Sequence, residues 1–495
     1  MSRYRFSPEL ERQQRMRTRR VVVGAIASAV LLIAGVGLFI VGLQALTGGS
    51  GVKPPTSTPF APVVKLLTPL PGSSGGTPVA PAPGVTFVAP VATAIPGKPA
   101  PTGAATVAPA PVPTLVAGGP PDPDGQIAGI KDFSCPAPRV APAKFGYGIQ
   151  SNWPVGDIGQ WNSVMAEKLK LTWTKAQFRW KDYEPERGKI DAYRWQILDA
   201  FVGDANKKGL NILFGVIDAP NHLRTSFKGG NAGPPDDFNE AARLFKRITA
   251  RYRGCVQAIE VWNEMNLDRE WQTPRGVIAG VEYVNFLKVV GPAIREKDPN
   301  MLLVMGALSP VGATVAGQFT DDFAYMDQFV AAGGAGLVDC VGVHLNGFNF
   351  PPDKEWNAGY NDPTAKFRGP FDNPDHSWSF VSTIKGYRAR TNKPMCVTEF
   401  GWPSMENLGV QGFPPGFDFA MDNTEQEQAD WIVQGFSILR ELGYVRFGIV
   451  FNLDYSRKIG QKPNEAGGDP AIYSVIRPDG NLRPAFDAIE RMPKP

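Results

Sequence analysis

The chain has 495 residues, 43% of them hydrophobic and 20% charged, with 51 Lys and Arg against 47 Asp and Glu for a net charge of +4. The charge is local: residues 1–20 hold seven arginines against two glutamates, so everything after residue 20 is close to neutral. A near-neutral body has no basic face for nucleic acid, which excludes that class of partner, and the uneven composition divides the length before it can be read as domains.

After the basic segment 1–20, residues 21–47 form an uncharged apolar run from Val21 to Leu46. At about 1.5 Å per helical residue it is long enough to cross a hydrocarbon core of roughly 30 Å. A cleaved signal peptide also begins basic, but its apolar region is usually about 7–15 residues. The run is therefore expected to be an uncleaved transmembrane signal anchor. The arginines precede it and only Lys53 follows closely, so the positive-inside rule predicts a cytoplasmic N-terminus, a single pass through the cell membrane and an extracellular remainder.

Residues 48–128 are dominated by Pro, Ala, Val, Thr and Gly, with two aromatics (Phe60, Phe87) and five charges. No periodic apolar face exists to bury, so a disordered linker is expected, extended by polyproline II segments of about 3.1 Å per residue.

Residues 129–495 alternate short apolar or β-branched runs with helical spacing, the mark of βα units and a parallel sheet. Eight strands are predicted, at 145–150, 172–179, 210–217, 256–263, 302–307, 339–344, 395–399 and 447–452, and helices among them at 191–208, 239–253 and 424–442. One such domain fits an α/β fold, a (β/α)8 TIM barrel. An open doubly wound sheet is the competing architecture, but no glycine-rich phosphate turn follows the first strand. Cys135, Cys255, Cys340 and Cys396 lack metal-ligand spacing. Two readings stay open for them, buried thiols or disulfides, with Cys135–Cys255 at the bottom of the barrel as one pairing.

Barrel enzymes carry their chemistry at the C-terminal ends of the strands. The fourth run closes Glu260-Val261-Trp262-Asn263-Glu264 and the seventh Thr398-Glu399-Phe400-Gly401-Trp402, each bringing a carboxylate to the mouth. Two facing carboxylates suit glycosidic cleavage, in which one group protonates the leaving oxygen and the other attacks the anomeric carbon or activates water. Their separation decides between retention, at roughly 5–5.5 Å, and inversion across a wider gap.

Trp262-Asn263-Glu264 with Glu399-Phe400-Gly401-Trp402 resembles the clan of retaining (β/α)8 glycoside hydrolases that includes cellulases, β-mannanases and β-xylosidases. Similar too are Arg179 closing the second strand, the stretch WKDYEPERG from Trp180 to Gly188, Ala219-Pro220, His344, and Pro478-Asp479-Gly480 with Arg483-Pro484-Ala485-Phe486. The resemblance implies that Glu264 is the acid/base, Glu399 the nucleophile, and Asn263 a partner of the sugar 2-hydroxyl. If Arg179 approaches Glu399 it favours the anion there, and that charge is expected to keep a proton on Glu264.

Other residues are weighed against plainer readings. Glu260 lies deeper in its strand and is expected to be buried and structural, and Glu184 and Glu186 are expected to hold a turn. His344 is expected to orient the nucleophile or touch substrate. Among the aromatics near strand ends, Trp153, Trp180, Trp262, Trp402 and Tyr455, Trp402 is the best candidate for a sugar platform and Trp153 a second, the others being as readily core. Three histidines without paired spacing give no metal site, no cofactor motif is present, and no G-x-S-x-G elbow supports serine chemistry. Two departures from the clan pattern stand out: Asn346 follows His344-Leu345 where a tyrosine often comes after the histidine, and Phe451-Asn452 stands where a tryptophan is usual. Asn346 is counted with the substrate-binding residues. The partner expected is thus a polysaccharide or oligosaccharide, with a non-catalytic surface glycan-binding barrel as the alternative and lyase or aldolase chemistry as a third reading.

Overall fold

The computed structural model describes residues 122–152, 157–225, 231–274, 276–455 and 462–495. The expected anchor, most of the expected linker and Trp153 lie outside the described residues. Among those described, no helix is long and apolar enough to cross a membrane.

Eight parallel strands form the sheet: β1 Gly146–Gln150, β2 Trp173–Arg179, β3 Asn211–Ile217, β4 Ala258–Val261, β5 Leu302–Met305, β6 Val341–Asn346, β7 Met395–Gly401 and β8 Val445–Val450. Their order runs β5-β4-β3-β2-β1-β8-β7-β6. Between β5 and β6 the ladder thins to the parallel bridges Val304 with Cys340 and Leu308 with Val343, which bring the two ends of the sheet together. The result is a nearly closed (β/α)8 barrel. β3 and β7 are buried along their whole length, as strands covered on both faces must be.

Each strand is followed by a helix: α1 Ile158–Ser163, α2 Ala192–Lys207, α3 Phe238–Arg251, α4 Gly280–Lys297, α5 Asp322–Ala331, α6 Phe380–Arg390, α7 Glu425–Glu441 and α8 Pro484–Arg491. Asp157, Asp191, Asp237, Asp321, Ser379 and Thr424 accept hydrogen bonds from first-turn backbone N–H groups, which fixes where six of these helices begin. Each such cap contributes about 1 kcal/mol. The main core lies between strands and helices. A second cluster fills the bottom of the barrel, with Trp173, Leu213, Leu302, Phe447 and Ile449 packed around Cys340 and Cys396.

The four cysteines form Cys135–Cys255 and Cys340–Cys396. The linker ends earlier than its composition suggests. Residues 122–128 belong to the folded base: Ile127 is buried, Arg251 donates to the Gly125 carbonyl at 3.0 Å, and Lys297 pairs with Asp122 and Asp124. Proline-rich composition hides this segment because one apolar side chain and a carbonyl are enough to dock it.

Candidate active site

Glu264 sits beyond the end of β4, not in register with Glu260. The strand stops at Val261, and Trp262 and Glu264 adopt φ of 79° and 42°. Left-handed backbone is costly for such residues and persists where neighbours hold it. Trp262 N donates to Val216 O at 3.1 Å, its indole Nε1 to Glu270 O at 2.8 Å, and Glu264 N to Ala307 O at 2.7 Å. These three bonds turn the chain and present Asn263 and Glu264 to the barrel mouth.

A cavity of about 410 Å³ opens there, lined by Asn263, Glu264, Asn346 and Glu399 among others. The end of β2 and the loops after β2 to β5 supply mostly polar groups, including Gln177, Arg179, Lys181, Asp218, Arg269 and Glu270; loops after β6 to β8 supply Phe348, Phe417, Phe419, Phe451, Tyr455 and Tyr473. One polar wall and one aromatic wall match what a sugar ring offers, hydroxyls at its edge and C–H groups on its face.

His344 joins the two carboxyls. Its Nδ1 lies 3.1 Å from Glu264 Oε1, and its Nε2 lies 3.9 Å from Glu399 Oε2 with no hydrogen-bond partner among the described residues. Arg269 holds the other Glu264 oxygen at 3.0 Å. Burial raises the Glu264 pKa, but the hydrogen bond with His344 and the charge of Arg269 outweigh it and bring the carboxyl down to about 2. Glu264 is therefore an anion in the free molecule, and His344 Nδ1 must be the donor to it. Burial opposes a charged His344, yet the Glu399 charge and the Glu264 bond raise its pKa. The expectation of a proton resting on Glu264 is corrected by these neighbours. Two other carboxyls of the cavity are shifted the opposite way: burial pushes Glu270 up to about 7 and Asp469 up to about 6.

Arg179 lines the cavity but is directed at Asp218, 3.6 Å away, which it shares with Lys181 at 2.6 Å. The cation on Glu399 is instead Lys175, from the middle of β2, at 3.0 Å. Asn263 is 8% exposed and its Oδ1 has no partner among the described residues, and Asn346 Oδ1 is likewise unpartnered, so both keep an acceptor for a ligand. Trp402, expected as a sugar platform, is fully buried. Its indole donates to Phe350 O at 3.1 Å and packs against Phe380, Phe400 and Trp431, and it reaches that slot because Gly347 has no side chain where the ring passes. Trp180 and Trp262 are core as well, whereas Tyr455 lines the cavity and accepts from Gln150 Nε2 at 2.7 Å.

Glu260 is fully buried and hydrogen-bonded. Glu184 accepts from the Trp180 indole and from Arg243, which ties the 180–188 turn to α3. Away from the cavity, Asp321, Asp322 and His376 lie within reach of one another, but Asp322 is already engaged by Tyr387 and His376.

No protein-family model and no curated protein matches the sequence. Solved structures do. A family 39 glycoside hydrolase from the gut symbiont Bacteroides cellulosilyticus WH2 aligns with a TM-score of 0.47 at 16% identity, over 72% of this chain and 64% of that one. A GH128 (subgroup II) endo-β-1,3-glucanase from Sorangium cellulosum aligns at 0.41 and 19%, over 70% and 99%. Xylanase 10B from Thermotoga maritima aligns at 0.46 and 13%, over 70% and 94%. This chain spans less than two thirds of the first. Likeness at this level does not say which bond is cut, and that question belongs to the site's own geometry.

Proposed function

We propose that the barrel is a glycoside hydrolase that cleaves O-glycosidic bonds of a polysaccharide or oligosaccharide with retention of configuration. The observation that carries this reading is the pair Glu264 and Glu399 on one cavity with a single imidazole spanning them. In the first step Glu399 attacks the anomeric carbon while the bond to the leaving oxygen breaks, and that oxygen takes a proton from Glu264. In the second, Glu264 removes a proton from water, which displaces Glu399 and restores it.

The resting charge on Glu264 suits the second step directly. For the first it needs a proton, which arrives when substrate displaces Arg269 and lifts its hold. Glu270 and Asp469, whose carboxyls burial pushes up to about 7 and about 6, line the same cavity. Asn263 and Asn346 are read as hydroxyl partners and His344 as the group that orients Glu264 and faces Glu399. Schiff-base chemistry finds no support, because Lys175 is held as a cation by two glutamates and Lys181, the lysine of the cavity wall, is paired with Asp218 at 2.6 Å.

One observation favours a second reading, a surface barrel that binds glycan without turnover: Arg269 occupies the acid/base in the free molecule. Hydrolysis of a panel of aryl β-glycosides and polysaccharides by the full chain decides between them. Glu264→Gln is expected to lower kcat by about 10²–10⁴-fold and Glu399→Gln to abolish turnover, both with the fold intact. Binding without hydrolysis by the parent protein favours the second reading. We further propose that residues 21–47 hold the barrel outside the cell. The full chain is then expected in the membrane fraction and the barrel digestible by protease added to whole cells.

A further inference from the structure

Beneath the cavity floor three charged side chains meet inside the barrel. Lys175 from β2, fully buried, forms an ion pair with Glu260 Oε2 of β4 at 2.9 Å and donates a hydrogen bond to Glu399 Oε1 of β7 at 3.0 Å. Glu260 Oε1 accepts from Thr398 Oγ1 at 2.7 Å and from Ala307 N at 3.2 Å. An ammonium so buried is expected to lose its proton, but the two carboxylates outweigh burial and raise its pKa, so it stays a cation.

The neighbouring strand leaves room for this bridge. A side chain at Gly215 of β3 would meet Lys175 Cε at 3.2 Å and Glu260 Oε2 at 3.3 Å. Glycine in a strand interior packs nothing and often marks a close approach, and here the approach is the lysine stem crossing the barrel.

We infer that Lys175 and Glu260 are a positioning pair that pins Oε1 of Glu399 and leaves Oε2 as the oxygen that attacks. The inference rests on the glycoside hydrolase reading of the site. With Oε1 tied to Lys175, the carboxylate cannot rotate freely, and among the described residues Oε2 faces His344 Nε2 at 3.9 Å, beyond hydrogen-bond range. When Oε2 bonds to the anomeric carbon and the leaving oxygen departs with the electron pair and the proton from Glu264, Glu399 becomes a neutral ester. Lys175 would then be a buried cation that has lost an anion. Glu260 remains beside it, so the covalent intermediate forms without an unpaired charge in the core.

The test uses the full chain and an activated 2-deoxy-2-fluoro glycoside of the sugar the panel identifies, with the label located by mass on the peptide carrying Glu399. Lys175→Met is expected to slow labelling and lower kcat by about 10²-fold, the scale of a small misplacement of a reacting group, with KM nearly unchanged. Lys175→Arg is expected to recover much of the loss, and Glu260→Gln to slow labelling in the same direction. A folded Lys175→Met protein that labels at the parent rate overturns the inference. Should Lys175→Met fail to fold, Gly215→Ala crowds the same stem, and unchanged labelling there overturns it equally. If the parent protein neither hydrolyses nor labels, the hydrolase reading fails on its own, and crystal structures of the parent and Lys175→Met decide the positioning claim. A Glu399 carboxylate that keeps its orientation without the lysine refutes it, and a rotated one supports it.

Discussion

A carboxyl that lends a proton and takes it back works best when its pKa lies near the working pH. In the free molecule Glu264 is far from that condition, held down to about 2 against its own burial by His344 and Arg269. Replacing Arg269 with Met removes a cation and leaves the burial, so the Glu264 pKa must rise. More of the acid form is then present between pH 4 and 6, and the basic limb of kcat/KM against pH is expected to move upward. The same pair makes a stability statement. A carboxyl whose folded pKa is depressed contributes stability above its unfolded value of about 4.3, and that contribution fades as pH falls toward 2. Acid unfolding of Arg269→Met, followed by circular dichroism from pH 5 to 2, is expected to be less steep than that of the parent. An unmoved basic limb together with identical acid unfolding would show that Arg269 does not set the charge on Glu264.

The motif near the C-terminus acts one scale up, by holding the loops that form the aromatic wall. Arg483 is fully buried and donates to Ser404 O of the loop after β7 and Ile472 O of the loop after β8, both at 3.1 Å, while pairing with Glu425 of α7 at 3.2 Å. Tyr473, next to Ile472, lines the cavity. Arg483→Met leaves Ser404 O without its donor, takes one of several donors from Ile472 O and weakens a buried pair, which is expected to cost about 3 kcal/mol in urea unfolding. It is also expected to raise KM more than it lowers kcat, because the wall shifts while Glu399 stays on β7 and Glu264 in the turn after β4. The eight strands and three of the helices were legible as period and length, since buried parallel strands are short apolar runs whatever their neighbours. Ends were less so, because the turn at Trp262 to Glu264 is imposed by contacts from β3 and the loop after β5. Lys175 lies in the middle of β2, away from the strand ends that carry a barrel's chemistry, although a lysine alternating with Trp173 and Gln177, a glycine in the middle of β3 and a glutamate in the middle of β4 together signal a charged bridge. Trp402 shows the opposite case: it follows Glu399 closely, but Gly347 opens a buried slot for its ring that no local pattern announces.

At the scale of the molecule, the barrel depends on being closed at its base. Cys135 and Cys255 lie 120 residues apart, and their bond clamps the entering segment and the turn before β4 to one another. In the chain-entropy account a loop of that length is worth about 4–5 kcal/mol, since the unfolded chain loses the freedom of everything between the two ends. The packing of Ile127 and the bonds from Arg251 to Gly125 O and Lys131 O add enthalpic contacts to the same segment. The other pair, Cys340–Cys396, encloses 56 residues and joins the residue before β6 to β7, beside the thin β5–β6 seam. The logarithmic dependence on loop length makes the two entropic terms differ by only about 0.7 kcal/mol, so the larger difference must come from what each bond holds in place. Removing Cys135–Cys255 by paired Ser substitution frees a surface segment and leaves the barrel ladder whole. Removing Cys340–Cys396 opens a cavity in the bottom layer beside Trp173 and Phe447 and loosens the strand next to the seam. The second change is therefore expected to lower Tm more than the first and to reduce activity as well, because His344 and Glu399 ride on the two strands it joins. Thermal unfolding of both double variants beside the parent, with kcat measured on the same samples, checks the order. A larger loss from the Cys135–Cys255 pair would mean that loop entropy, and not packing at the seam, dominates the stability of this barrel.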